Sequence, residues 1–399
     1  CWSCTGKWVA KINIVHLCLQ APYNDYWGYQ DNLIPKYNRE AGHEVTVITT
    51  NTMHDDSGRI AETETGEYRL NDGQRIIRLK YVDFKPRVVA ACLRYYKIYP
   101  ILKRLHPDFI MVHGLGSVSA LQVVKYLKKV NPKCVVIADN HMDYYNSSLS
   151  SDSWKMHLLR GFWKMFNRHV QKYYKAVYGT TPWRVTYSED VFGISPNKSA
   201  LLVTGGDDDK IHFDRAAEIR HDIRAGLGIG DDDFVIVTGG KIDRAKNIHL
   251  LMQAVAELNN DNIKLIVFGQ PKDDMKEIVE KYSKDKNIFC IGWIESDKAY
   301  DYFLASDLSV FPGTHSVLWE QACACGIPGL FKDWEGMRHV DLGGNAEFLY
   351  EDSVDEIKEK ISEIYNDKEK YARMKKVAEE KGIKTFSYRE ISKRAIELI

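Results

Sequence analysis

No run of apolar residues in this chain is long enough to cross a bilayer, and the first ten residues lack an apolar signal core. Any meeting with a membrane is therefore expected from one side. Neither sign of charge is in excess: 55 Lys and Arg stand against 55 Asp and Glu, a formal net charge of +0. A chain so balanced offers nucleic acid no overall attraction, and any basic surface has to be local. Cysteine is sparse, 8 in 399 residues, and Cys18, Cys92, Cys134 and Cys290 lie in or beside apolar segments. They read as packed thiols of a reducing compartment, by default the cytoplasm, and not as a disulfide frame. Cys1 and Cys4 have the spacing of half a zinc site, but no second Cys or His pair follows at finger spacing. Two acidic triplets, Asp207 to Asp209 and Asp231 to Asp233, lack a glycine-spaced ligand loop and read as solvated turns. No metal is expected. Repeats and low-complexity tracts are absent as well.

What is present is a globular chain, 44% hydrophobic and 28% charged, long enough for two domains with separate cores. Strand-like runs alternate with helical ones: 12–19, 44–49, 108–112 and 134–138, then 234–238, 264–268, 288–291 and 308–311. Such alternation predicts an α/β fold with parallel sheets, covered by helices on both faces, whose ligands sit at the carboxyl ends of the strands. The chain turns polar and acidic after Gly205, which places a domain boundary shortly before it. The expected domains are 1–198 and 199–385, with a last segment, 386–399, as a helix able to return to the first domain.

Two stretches of the second half carry the most chemistry. In VIVTGGKIDRAKN, 235–247, a β-branched run ends at Gly239 and Gly240, followed by Lys241 and Lys246 at a helix start. In VFPGTHSVLWEQACACGIP, 310–328, a second strand opens through Gly313, Thr314, His315 and Ser316 into a helix bearing Glu320. Free N–H groups at a helix start favour an anion, lysines neutralise phosphate as point charges, and a carboxylate suits a pair of ribose hydroxyls. Each stretch alone is also explained as a glycine-punctuated strand end or ordinary capping. Together they outline a nucleotide-diphosphate site.

At these residues the chain resembles, nearly end to end, the family 4 glycosyltransferases of the GT-B fold. These enzymes move a sugar from a nucleotide donor with retention at the anomeric carbon. The resemblance implies two Rossmann-like domains with parallel sheets facing across a cleft, acceptor on the first and nucleotide sugar on the second. Lys241 stands where that family usually has arginine, Lys246 matches its lysine, and Glu320, Gln321, Ala322, Ala324, Gly326 and Pro328 match its EAxAxGxP pattern. By that match Gly240, Lys241 and Lys246 hold the donor diphosphate, with the 313–316 loop beside them, and Glu320 holds the ribose. The first glutamate of the family's usual pair falls at Pro312, so either the amides of Thr314, His315 and Ser316 take over its contacts, with the His315 ring as a further candidate partner, or the donor pocket is built differently. In the first domain His141 and Asp143 resemble the family's HD-like pair near the donor sugar. His113 with Gly114 resembles its HG element, and Gly28 stands where the family approaches the donor phosphates. A polar turn or a buried histidine also explains these residues. On this reading Lys241, Lys246 and His141 are the catalytic candidates.

The first loop, 21–32, carries Tyr26 and Trp27, rings able to stack on a sugar or to pack as a lid. Between 160 and 184, Arg160, Lys164, Arg168 and Lys172 interleave with aromatic residues and no acid intervenes. That pattern suits an anionic membrane surface, or else a half-buried helix. The expected partners are a nucleotide sugar and a glycan or lipid-linked acceptor, with no nucleic acid and no cofactor beyond the nucleotide-diphosphate sugar as co-substrate. The expected activity is retaining transfer in bacterial surface polysaccharide or glycolipid synthesis, in the cytoplasm or at the inner face of the membrane. A nucleotide-sugar epimerase of similar fold and a non-catalytic sugar-nucleotide or glycan-binding protein are the rival readings.

Overall fold

The strands form where β-branched and aliphatic residues run without interruption, because each is sandwiched between helices and buries both faces. In a computed structural model that describes residues 11–55 and 57–397, the chain forms two units by its contacts. Within the described residues, one unit runs through Val203 and resumes at Ile391, and the other is Thr204–Glu390. Cys1 and Cys4, with their zinc-like spacing, lie outside the described residues.

The first unit contains β1 (Asn13–Cys18), β2 (Glu44–Thr50), β3 (Thr52–His54), β4 (Ile60–Glu62), β5 (Gly66–Arg69), β6 (Arg75–Leu79), β7 (Phe109–His113), β8 (Val135–Asn140), β9 (Ala176–Gly179) and β10 (Ser199–Leu201). Its sheet has the order β10-β9-β8-β7-β1-β2-β6-β5, while β3 and β4 form a separate antiparallel ribbon. Every pairing in the sheet is parallel apart from β5 with β6. Val15, Leu17, Ile48, Ile110, Val112, Val136 and Val177 from these strands share one core with Trp163 and Phe166 of the helix Trp154–Val170.

The second unit carries β11 (Phe234–Gly239), β12 (Ile263–Phe268), β13 (Ile288–Gly292), β14 (Leu308–Phe311), β15 (Gly329–Lys332) and β16 (Ala346–Leu349). They pair in parallel in the order β13-β12-β11-β14-β15-β16. The residues of β11 are all buried, against Ile248, Leu251 and Val255 of the following helix among others. In both sheets the order reverses beside a first strand, between β1 and β7 and between β11 and β14. A crevice opens at such a reversal, at the carboxyl ends of the strands, and it is where open α/β sheets bind ligands.

The division of the chain differs from the expected 198/199 boundary for a local reason. Ser199–Leu201 extends the first sheet as β10, and the Leu202 N–H donates to the Gly179 carbonyl at 3.0 Å, which keeps the chain in the first unit through Val203. At the other end, 386–390 stays with the second unit. There Gly206 N–H donates to Phe386 O at 2.9 Å, and the Ser387 hydroxyl and the Arg389 N–H both donate to Asp208. The acidic triplet at 207–209 thus has a structural use in anchoring the tail.

Candidate nucleotide-diphosphate site

The turns after β11 and β14 are in contact. The Thr314 N–H donates to the Ala245 carbonyl at 2.9 Å, and the Asn247 side-chain amide donates to Pro312 O at 3.2 Å. A Cβ placed on Gly313 would lie 2.3 Å from Ala245 O and 2.4 Å from the Lys246 carbonyl carbon, so only glycine lets the two backbones approach this closely. Gly240 is left-handed at φ 103°, which turns the chain sharply at the strand end. Sequence reasoning paired these two turns, and the fold brings them together.

The roles within the pair differ from expectation. Lys246 Nζ donates to the carbonyl oxygens of Thr314 at 2.7 Å and His315 at 2.8 Å. Two of its three ammonium protons therefore hold the loop, and one is left for a ligand. Burial, with a smaller effect from Lys241, pushes Lys246 down to about 8. Lys241 stands exposed at the crevice. The amide of Thr314 is already used, so it is not one of the donors the loop offers a phosphate. The helix that follows, Leu318–Ala324, has only 7 residues, too short to contribute a strong terminal dipole.

Glu320 is fully buried, and its Oε1 accepts from the Nε2 atoms of His315 and His339, each at 2.8 Å. Burial alone would raise its carboxyl; His315 and His339 overcome that and hold it well below the usual carboxylate range. The expected pair of open acceptors is therefore reduced to one: Oε2 is buried with no hydrogen-bond partner among the described residues. His315, expected as a loop donor, is turned inward onto Glu320 and packs edge-on to Trp319. His339 was not foreseen. It comes from the turn Arg338–Val340, where no apolar periodicity marks it.

In the first unit, His113 and His141 at the ends of β7 and β8 meet two carboxylates. His113 Nδ1 is 2.8 Å from Asp139 Oδ2 and 3.3 Å from Asp31 Oδ1. His141 Nε2 is 3.3 Å from the same Asp139 oxygen and 3.6 Å from the same Asp31 oxygen. Behind them His113 Nε2 meets His16 Nδ1 at 3.0 Å, and His16 Nε2 meets the Asn38 side chain at 3.2 Å. Burial works against charge on His113, but Asp139 and then Asp31 raise it to about 10. His141 is likewise raised, against burial, by Asp139, while burial and the charge of His113 lower His16. Asp31, Asp139, His16 and Asn38 were missed in the sequence. Asp139, near the carboxyl end of β8 and two residues before His141, was within reach of the same reading of strand ends.

Several first-domain expectations need correction. His113 is buried and both of its ring nitrogens already have partners, Nε2 with His16 and Nδ1 with Asp139, so it offers a sugar no free group. Asp143 pairs not with His141 but with Arg184, at 3.1 Å, and its other oxygen caps the turn at Tyr145 and Asn146. Tyr26 is exposed, with its hydroxyl accepting from the Asn71 N–H, and Trp27 stacks on His54 with ring centroids 5.4 Å apart. Gly28 is exposed and a Cβ there would meet nothing within 4 Å, so no neighbouring protein atom requires glycine.

The basic stretch splits between inside and outside. Trp163, Phe166, Tyr174 and Tyr178 are buried in the protein, so these rings are unavailable to a membrane. Arg160 donates to Leu149 O and Lys164 to Asp190 O, while Arg168 and Lys172 are exposed. On the same helix Trp154, Leu158 and Met165 form an exposed apolar stripe. No helix among the described residues is long and apolar enough to cross a membrane.

Residues 219–381 match the family model of the glycosyl transferases group 1. A curated relative from Campylobacter jejuni, N-acetylgalactosamine-N,N'-diacetylbacillosaminyl-diphospho-undecaprenol 4-alpha-N-acetylgalactosaminyltransferase, is 29% identical over 143 residues, which cover 34% of this chain and 36% of that protein. The matched part thus spans about a third of that relative's length. Over the whole length the fold is similar to a glycosyltransferase from Rickettsia africae, with a TM-score of 0.68 at 14% identity, covering 98% of each chain. It is also similar to HepE of Anabaena in complex with UDP, with a TM-score of 0.65 at 14% identity, covering 97% of this chain and 99% of that one. Residues 219–381 are therefore similar to the glycosyl transferases group 1, and the chain as a whole has the GT-B fold of these glycosyltransferase structures.

Proposed function

We propose that this protein is a retaining glycosyltransferase that moves a sugar from a nucleoside diphosphate to a glycan or lipid-linked acceptor, in bacterial surface polysaccharide or glycolipid synthesis. The observation that carries the reading is the contact of the β11 and β14 turns through Lys246 and Thr314 at the point where the second sheet reverses. The diphosphate lies over these turns. Lys241 and the remaining Lys246 proton face its oxygens, with Gly240, Gly313 and Ser316 lining it. Glu320 Oε2 accepts from the ribose. In the first unit, the exposed Tyr26 ring and Trp27 are the groups offered to a sugar or acceptor.

In the transfer the bond between the anomeric carbon and the diphosphate oxygen breaks, with its electron pair leaving on the phosphate. The acceptor oxygen bonds to that carbon on the same face, and its proton passes to the departing phosphate. The lysines lower the barrier by stabilising charge that develops on the leaving group. No protein base is required, and the nucleotide sugar is the only co-substrate.

The lipid-linked acceptor draws support from two sides. The Campylobacter jejuni relative is named for action on a diphospho-undecaprenol-linked sugar. The exposed stripe of Trp154, Leu158 and Met165, with Arg168 and Lys172 beside it, suits an anionic bilayer surface at the inner face of the membrane.

A thermal-shift screen against UDP, GDP, ADP and their sugars tests the donor site, because a ligand of the native state raises its melting temperature. At least one nucleotide is expected to stabilise the wild type, and less so Lys241→Ala. If no nucleotide does, or if Lys241→Ala responds equally, the assignment fails.

A further inference from the structure

We infer that Asp31, His113, Asp139 and His141 form a tetrahedral divalent-metal site, best matched to Zn2+, that ties the helix after β1 to the ends of β7 and β8. Four donor atoms, one from each residue, all lie within 4.8 Å of one another. The four measured imidazole-to-carboxylate separations are 2.8, 3.3, 3.3 and 3.6 Å. Zinc bonds of about 2.0–2.1 Å put neighbouring donors of a tetrahedron roughly 3.3–3.4 Å apart, and these four separations lie on either side of that value. Two imidazoles with two carboxylates suit Zn2+; Mg2+ and Ca2+ take oxygen-only shells.

A second observation separates this cluster from an ordinary network of ion pairs. His141 Nε2 is buried and sits between the two carboxylates, yet it makes a hydrogen bond of good geometry with neither. A proton donor would be expected to turn toward one oxygen; a lone pair aimed at a shared ion sits between them. The surrounding contacts also orient the ligands. Gly114 N–H donates to Asp139 Oδ1 at 3.2 Å, leaving Oδ2 for the cluster. His113 Nε2–H can donate to His16 Nδ1, which leaves Nδ1 of His113 as the ligating lone pair. His16 Nε2–H then needs an acceptor, and the Asn38 Oδ1, buried without a partner, supplies it once that amide is turned over.

All four ligands come from the protein, so the site is closed and its role is to brace the loop ends. Binding replaces protons on His113 Nδ1 and His141 Nε2, which pass to the buffer.

The experiment is a Zn2+ titration of chelator-treated full-length protein in competition with a chromophoric indicator, repeated with Co2+ for its visible spectrum. One equivalent is expected, with proton release and a tetrahedral Co2+ spectrum. Asp31→Asn and His141→Ala should each weaken Zn2+ at least tenfold, whereas Glu320→Gln, in the other His-rich cluster, should not. Chelation should lower the melting temperature of the wild type and leave that of Asp31→Asn unmoved. Asp31 is partly exposed, so this variant stands as the test even if His141→Ala misfolds. The site is refuted if Zn2+ binds no more tightly than to Asp31→Asn, if binding is lost only in Glu320→Gln, or if the Co2+ spectrum is octahedral.

Discussion

The ammonium of Lys246 lies 2.7 Å from the carbonyl oxygen of Thr314, joining two loops 68 residues apart in sequence. A buried cation used this way titrates early, at about 8 against an ordinary 10.5. Nucleotide-diphosphate affinity is therefore expected to fall by about tenfold as pH rises from about 7 to about 9.5, since one charged contact is worth about 1.5–3 kcal/mol. The ligand's own phosphates, with a second pKa of about 6, are ionised throughout that range. Stability of the free protein moves oppositely. Between about 8 and 10.5 the unfolded lysine holds a proton that the folded one has lost, so this group favours folding more as pH rises. Calorimetric titration across this range checks the affinity. In Lys246→Arg, whose guanidinium stays charged, the inflection should vanish; an unchanged inflection would show that another group is responsible.

Gly313 and Gly28 predict opposite results for the same substitution. Gly313→Ala forces a methyl into the Ala245–Lys246 backbone, separating the loops, and should both lower the melting temperature and abolish nucleotide stabilisation. Gly28→Ala meets open space and should leave the melting temperature within a degree or so, because surface changes usually cost under about 0.5 kcal/mol. Any loss of nucleotide binding in Gly28→Ala then reports on the ligand alone. Equal behaviour of the two variants contradicts the loop geometry.

The strands flanking the donor site could be read directly because FVIVTG and LSVF are apolar on both faces, a pattern that needs no knowledge of distant residues. β6 was missed for the opposite reason. Its sequence RIIRL contains Arg78, which is buried only because it reaches Asp25 at 2.9 Å and the carbonyls of Tyr23 and Thr50, partners far along the chain. β9, AVYG, was hidden inside the basic aromatic stretch, whose rings turned inward to the core. The same limit governs the sites. Lys246 and Glu320 carry local motifs, but His339 and Asp31 acquire meaning only when loops from different strands meet.

Asp307 offers a stability prediction in the second unit. It receives the fully buried Arg224 at 2.6 Å, Arg220 at 2.7 Å and the Val235 N–H at 2.8 Å, fastening the helix Ala216–Leu227 to β11. Asp307→Ala leaves a buried guanidinium without its counter-ion and should cost about 3–5 kcal/mol in urea unfolding. Asp307→Asn, which keeps an acceptor, should cost less. A loss under about 1 kcal/mol for the alanine variant would mean that the Ala305 and Asp233 carbonyls, which also accept from Arg224, suffice.

The basic residues of the helix Trp154–Val170 and its extension should not contribute equally to membrane attachment. Arg160 and Lys164 spend donors on the carbonyls of Leu149 and Asp190, whereas Arg168 and Lys172 are exposed, near the apolar stripe. A lysine or arginine near an anionic surface is worth about 1 kcal/mol, so reversing two such charges removes a large part of the attraction. In cosedimentation with vesicles containing anionic lipid, Arg168→Glu with Lys172→Glu should weaken binding roughly tenfold or more, and high salt should do the same to the wild type. Trp154→Ala with Leu158→Ala should weaken binding at all salt concentrations, because buried apolar area does not screen. Equal weakening by Arg160→Ala and Lys164→Ala would point to the whole basic stretch acting as a diffuse field. No vesicle binding by the wild type would leave a glycan in solution as the acceptor.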